Sequence, residues 1–210
     1  MQRSAWQPDG HLVRVISQAN ISDVTADSCG LKNNLRMISA LDNSVSRTEL
    51  ESHANMVCLG RHALIIEDTG ETVDVKPFTP DYNTLQKFPF VTGAILTECV
   101  FTGKTRIFIF HNALSVLAMD HNLVPPFILQ EVGLIVNDTP KIHVKDPSVE
   151  DHTVFFPRYD VRIPLSLNGI FSCFPSSKPS IDDMDICEDI FLMTPKGTWN
   201  THTDAYAQNK

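Results

Sequence analysis

From Thr48 onward the apolar residues come in short runs separated by turn residues, a spacing that predicts strands and hairpins rather than long helices. Ala63-Leu64-Ile65-Ile66 reads as a strand and residues 72–75 as its return. Asp68-Thr69-Gly70 is then the hairpin tip, because Gly70 reaches positive φ without steric cost. Pro77-Phe78-Thr79-Pro80-Asp81 breaks the pattern. Residues 90–98 and 106–110 predict a second hairpin across Phe101-Thr102-Gly103-Lys104, followed by a strand at Ala113-Leu114-Ser115-Val116. Pro126 suits the first turn of a helix, residues 127–132 its body and Gly133 its stop. Leu134-Ile135-Val136 is one more short strand.

Beyond Pro140 a smaller region is expected. Residues 152–156 form a strand, and Val161, Ile163, Leu165 and Leu167 alternate in another that Pro164 confines to an edge. Ser180 and Asp183 make a capping-box pattern that opens a short helix through Cys187. Ile190-Phe191-Leu192-Met193 is a last strand. Residues 1–47 are rich in Gln, Asn, Ser and Asp and predict a weakly ordered polar linker, with a brief strand at 12–16 and a weak helix over 31–41. The expected organisation is therefore a linker at 1–47, a mainly β domain at 48–138, a small α+β extension at 139–205 and a fraying tail at 206–210.

Composition narrows the functional classes. Of 210 residues, 42% are hydrophobic and 20% charged, which suits a globular chain rather than a disordered one. The formal net charge of −8 argues against a nucleic-acid footprint, which needs a basic face. The five cysteines are scattered, odd in number and never paired as Cys-x-x-Cys, so they read as reduced thiols in an intracellular, cytoplasmic protein. The sequon at Asn20 is accordingly expected to stay unmodified, and no apolar run approaches the roughly 20 residues of a membrane span.

The candidate chemistry lies in Thr-Glu-Leu-Glu-Ser-His-Ala-Asn-Met-Val-Cys-Leu-Gly, residues 48–60. Its centre, Glu51-Ser52-His53-Ala54, resembles the turn on which an aspartic peptidase presents its carboxylate: apolar, apolar, Asp, Ser or Thr, Gly, Ala. It departs from that spelling by Glu for Asp at 51 and His for Gly at 53. Further on, Asn112-Ala113-Leu114-Ser115-Val116, Asn122-Leu123-Val124 and Leu129-Gln130-Glu131-Val132-Gly133 resemble the closing segment of Copia-type retrotransposon proteases. Related elements use an Asp-Ser-His-Ala turn, which makes His53 a family variant and Glu51 this chain's own change. Ile163-Pro164-Leu165-Ser166-Leu167, Gly169-Ile170-Phe171-Ser172 and Lys178-Pro179 are similar to the region downstream of the protease in such Gag-Pol polyproteins. The likeness spans about residues 48–205.

The resemblance implies a retropepsin-like lobe of short strands and hairpins with one C-terminal helix. It also implies peptide hydrolysis by water held between two carboxylates that share a proton. One lobe supplies one carboxylate, so the partner is a second copy of the chain in a two-fold homodimer, and the substrate is a polypeptide. Ser52 would bond across the dyad. Neither cofactor nor metal is implied. Glu51 carries one methylene more than Asp, and misplacement on the scale of an ångström can cost about 10²-fold. A degenerate, impaired protease and a non-catalytic β-domain that binds protein both remain open. The literal Asp68-Thr69-Gly70 is the alternative acid motif, but Glu71 stands where a small residue should pack.

Other signals are weaker. Thr102-Gly103-Lys104-Thr105 matches the end of a phosphate loop, yet Glu98 occupies the position of its first Gly. The histidines show no metal-ligand spacing. Cys58, near His53 and His62, reads as a buried strand residue rather than a nucleophile. For the fold, Glu51 and Ser52 should end a buried strand beside Leu123 and Val124, and Asp68 should be solvent-exposed.

Overall fold

Alternating apolar residues and closely spaced turns yield a mainly β structure. The computed structural model describes residues 12–15, 45–77, 85–100 and 102–195. The expected helix at 31–41, the sequon at Asn20 and the tail at 206–210 lie outside these. The strands are β1 (Leu12–Val15), β2 (Val45–Leu50), β3 (Cys58–Leu59), β4 (Leu64–Pro77), β5 (Leu85–Glu98), β6 (Thr105–Ser115) and β7 (Asn122–Val124). After the helix α1 (Pro126–Glu131) come β8 (Ile135–Asn137), β9 (Thr153–Phe156), β10 (Val161–Pro164), β11 (Ser166–Asn168) and β12 (Phe171–Ser177). The helix α2 (Ile181–Ile186) and β13 (Ile190–Leu192) close the described chain.

The large sheet runs β1-β4-β5-β12-β2-β7-β3-β6-β13, and β5 also pairs with β6. That extra pairing closes β5-β12-β2-β7-β3-β6 into a ring, which hides most of the strand edges that would otherwise invite aggregation. The small sheet has the order β10-β9-β8, with Pro164 on an edge strand where its missing N–H costs nothing. The larger of two apolar clusters joins both sheets, and a smaller one gathers Met56, Cys58, Val73, Val75, Leu114 and Leu123. Phe108 of β6 packs against Phe156 of the small sheet at 5.8 Å, Phe174 of β12 at 6.0 Å and Phe191 of β13 at 6.1 Å between ring centroids.

Three details differ from the expectation. First, Asp68-Thr69-Gly70 is not a hairpin tip. β4 continues through it, and Asp68 pairs with Val91 while Thr72 pairs with Pro89, so Thr69, Gly70 and Glu71 bulge opposite Phe90. The bulge is closed locally by Asp68 Oδ1, which accepts from Gly70 N–H at 2.9 Å, and by Thr69 Oγ1, which donates to Phe90 O at 2.7 Å. Gly70 sits at φ +77°. Second, β2 begins at Val45, so the expected boundary at residue 48 falls inside a strand, and β1 pairs in parallel with β4. Third, the segment expected as a separate extension is woven into the large sheet. β12 pairs with β2 through Cys173↔Glu49 to Ser177↔Val45, and β13 pairs with β6.

The β5–β6 hairpin turns through Gly103 at φ +68°, with Cys99 N–H bonded to Lys104 O at 2.9 Å. Thr102-Gly103-Lys104 is thus a hairpin turn. α1 starts at Pro126 and is followed by Gly133 at φ +82°. α2 carries the capping box, with Ser180 Oγ accepting from Asp183 N–H at 3.0 Å.

What fixes β2 is a buried polar knot. β2 runs parallel to β7, with Glu49↔Leu123 and Leu50↔Val124. Asn122, fully buried, accepts from Gly60 N–H at 2.9 Å and donates to Thr48 Oγ1 at 3.2 Å and Ser176 Oγ at 3.4 Å. Thr48 and Ser176 also bond each other at 2.9 Å. Gly60 must be glycine here for reasons of space, since a Cβ would lie 2.5 Å from the backbone oxygen of His121 and 2.6 Å from that of Met119. Asn122→Ala should therefore destabilise the protein by about 2–3 kcal/mol, because the buried Gly60 N–H loses its acceptor. Asn137→Ala, which removes only 3.4 Å contacts, should change stability by less than about 0.5 kcal/mol. Urea unfolding of both variants checks the contrast.

Candidate active site

The knot aims the end of β2 at a cavity. Leu50 is buried in the core, and the next residue, Glu51, donates its backbone N–H to Val124 O at 3.1 Å, extending the β2–β7 pairing by one bond. The chain then turns through Ser52 and His53, and Ala54 is buried again at 5% exposure. Glu51 and Ser52 thus end a buried strand beside Leu123 and Val124.

Within the turn, Glu51 Oε1 accepts from the backbone N–H of His53 at 2.9 Å and lies 3.2 Å from His53 Nδ1. The contact to the amide two residues on is the one that Asp68 makes to Gly70 in the bulge, here reached with a longer arm. The Glu51 side chain is 12% exposed, whereas the His53 ring is 67% exposed. Ser52 Oγ lies 3.4 Å from His53 Nδ1 and so stays within its own turn.

The turn forms one wall of a cavity of about 350 Å³. Pro126, at the start of α1, contributes a second wall, Asp138 and Pro140 a third, and Ile170, Phe171 and Ser172 a fourth. Asp138 is thus a further carboxylate on this cavity. It lies at the last position of the expected domain and carries no motif of its own. Ser172 belongs to the region expected as a separate extension, where the sequence alone attaches no role to it. Ser172 comes to the cavity because β12 returns beside β2, and Asp138 comes from the end of β8 in the small sheet.

The alternative motif is elsewhere. Asp68, Thr69 and Gly70 are exposed on β4, and none of them lines the Glu51 cavity. Cys58 is fully buried, and burial pushes its thiol up to about 12, so no thiolate forms there at neutral pH. Among the described residues no group of three or more His, Cys, Asp or Glu side chains could hold a metal ion. No described helix is long and apolar enough to cross a membrane.

A second charged group sits just behind the turn. Glu49, 2% exposed, holds Arg47 Nε at 2.6 Å and His121 Nε2 at 3.5 Å. Burial holds the His121 pKa below the ordinary imidazole value, against the pull of Glu49. The ion-pair geometry alone would suggest the opposite shift. Burial prevails because the Glu49 charge is already matched by Arg47, whose own positive charge further disfavours imidazolium.

Comparisons of the chain with protein-family models, with curated proteins and with solved structures find no match.

The direction of the His121 shift fixes the sign of a pH dependence. A lowered folded-state pKa means that the unfolded chain takes up the proton first. The stabilisation is full above about pH 6.5 and is lost as pH falls below it. Urea midpoints of the parent should therefore fall between about pH 7.5 and about pH 5.5 more steeply than those of His121→Gln. Parallel slopes for the two proteins would assign the pH dependence to other groups.

Proposed function

We propose that the chain is a retropepsin-like aspartic protease domain of a Copia-type retrotransposon polyprotein, working inside the cell as a homodimer. Glu51 stands at the catalytic acid's position and impairs the activity. The observation that carries this reading is the acid-bearing turn Glu51-Ser52-His53-Ala54, which ends a buried strand against the parallel strand β7 and opens onto a cavity. In the homodimer, Glu51 and its symmetry mate would hold the attacking water, one as base and one as acid. The substrate would be an extended polypeptide. Neither nucleic acid nor membrane would be a direct partner.

Two features of the turn support a low activity on this reading. The shared-proton state needs two acids in close approach, one with a raised and one with a depressed pKa. Glu51 reaches one methylene too far, and its Oε1 is engaged by both the amide and the ring of His53. That engagement favours the second reading, a non-catalytic protease-like β-domain with a structural or protein-binding role in the polyprotein.

Glu51→Asp separates the two. An Asp at this position can keep the bond to the His53 amide, as Asp68 does to Gly70, while drawing its carboxylate back toward the strand end. Cleavage of an unstructured protein substrate at mildly acidic pH should rise at least about tenfold over the parent and be blocked by a pepstatin-type inhibitor. A well-folded, dimeric Glu51→Asp protein with no gain would leave the binding-domain reading. Asp68→Asn should leave the same activity unchanged, and its loss would mean that the bulge carries the acid.

A further inference from the structure

The wall of the cavity formed by β12 carries a second reactive arrangement, independent of Glu51. Ser172 Oγ lies 2.9 Å from His152 Nε2 and donates to the backbone oxygen of Asp138 at 3.3 Å, so its proton turns from that oxygen to Nε2 when the imidazole acts as base. The distance to His152 is that of a nucleophile and its general base. Ser172 is half-buried and lines the cavity, whereas His152 is 4% exposed. The backbone that carries the imidazole is fixed on both sides. His152 sits at φ +56°, a conformation that side-chain-bearing residues rarely adopt, immediately before β9. Its backbone oxygen accepts from Leu165 N–H at 2.8 Å.

We propose that Ser172 and His152 are a nucleophile–base pair through which this cavity takes up the acyl group of a small, uncharged activated ester. In the step, Ser172 Oγ attacks the ester carbonyl carbon as its proton passes to His152 Nε2. The bond from that carbon to the leaving oxygen then breaks, and the leaving oxygen recovers the proton from Nε2. The products are an O-acyl serine and a free alcohol or phenol, with no oxidation or reduction. The walls set the preference. Glu51 and Asp138 disfavour anionic esters, while Pro126, Pro140, Ile170 and Phe171 offer apolar contact to a short acyl chain.

The base must be neutral to act, and the surroundings keep it so. Burial holds the His152 pKa below the ordinary imidazole value; the Asp138 charge opposes that shift and Lys141 adds to it. Asp151, next in the chain, is bonded to Ser148 at 2.8 Å through both the amide and the hydroxyl, and to Asn137 at 3.4 Å.

The test is incubation of the whole chain with p-nitrophenyl acetate, read by release of p-nitrophenolate and by peptide mapping of the acetylated residue. One acetyl group should appear on Ser172, and Ser172→Ala should remove it. His152→Gln should slow acetylation by about 10²-fold or more. That variant could fail to fold, so the pH profile of the parent is a second measure. Its rate should rise with pH in the acid range and level off by neutrality, as titration of a general base with a lowered pKa requires. Acetylation confined to lysines or cysteines, no acetylation, or a rate still rising about tenfold per pH unit above neutrality would each overturn the proposal.

Discussion

The carboxamide of Asn122 is the contact on which the rest of the site depends. One buried side chain satisfies the amide of Gly60 and the hydroxyls of Thr48 and Ser176, and so joins β7 to β2, to β12 and to the turn after β3. A buried polar group with every partner in place is directional in a way that apolar packing is not. It fixes the register of β2, and a slip of one residue would exchange Leu50 with Glu49 across the faces of the strand. The position of Glu51 at the cavity follows from that register, and the further bond from its own N–H to Val124 O secures it.

The two faces of β2 carry different loads. One presents Thr48 to the knot and Leu50 to the core. The other presents Arg47 and Glu49, which pair with each other and meet His121. Only Glu49 of this pair is buried, so loss of Arg47 would leave a buried carboxylate with one partner fewer and be the costlier change. β2 is therefore constrained on both faces, and the freedom left to the site lies in the turn. There, the long arm of Glu51 folds back onto His53. The amide and the ring of His53 together hold that carboxylate within its own turn.

Much of this was legible in the sequence because it rests on local signals. The hairpin through Gly103, the helix between Pro126 and Gly133, the edge strand containing Pro164 and the capping box of Ser180 and Asp183 each follow from a residue's own φ preference or hydrogen-bonding capacity. Asn122 appeared as part of an Asn-Leu pair, but its partners at 48, 60 and 176 are far apart in sequence and carry no signal that links them. The Asp68-Thr69-Gly70 segment misled for a physical reason. An Asp side chain that caps an amide two residues on, followed by a glycine at positive φ, builds a bulge as readily as a hairpin tip. Only the partner strand decides between them, and β5 continues past it.

The division at residue 138 failed on the same ground. Sequence texture changes near Pro140, but the small sheet begins before it with β8, β12 returns to lie between β5 and β2, and β13 returns to β6. Residues far down the chain therefore complete the ring and one wall of the cavity. The pairing of Cys173 with Glu49 sets Ser172 level with Leu50 and Phe171 past the end of β2, beside the turn that carries Glu51. A fragment ending at 138 would leave β2 with an unpaired edge, Asn122 without Ser176, and the Glu51 cavity without the wall formed by Ile170, Phe171 and Ser172. What the chain can do chemically is thus a property of both segments together, because the strand that presents the acid is held in register by the strand that presents the serine.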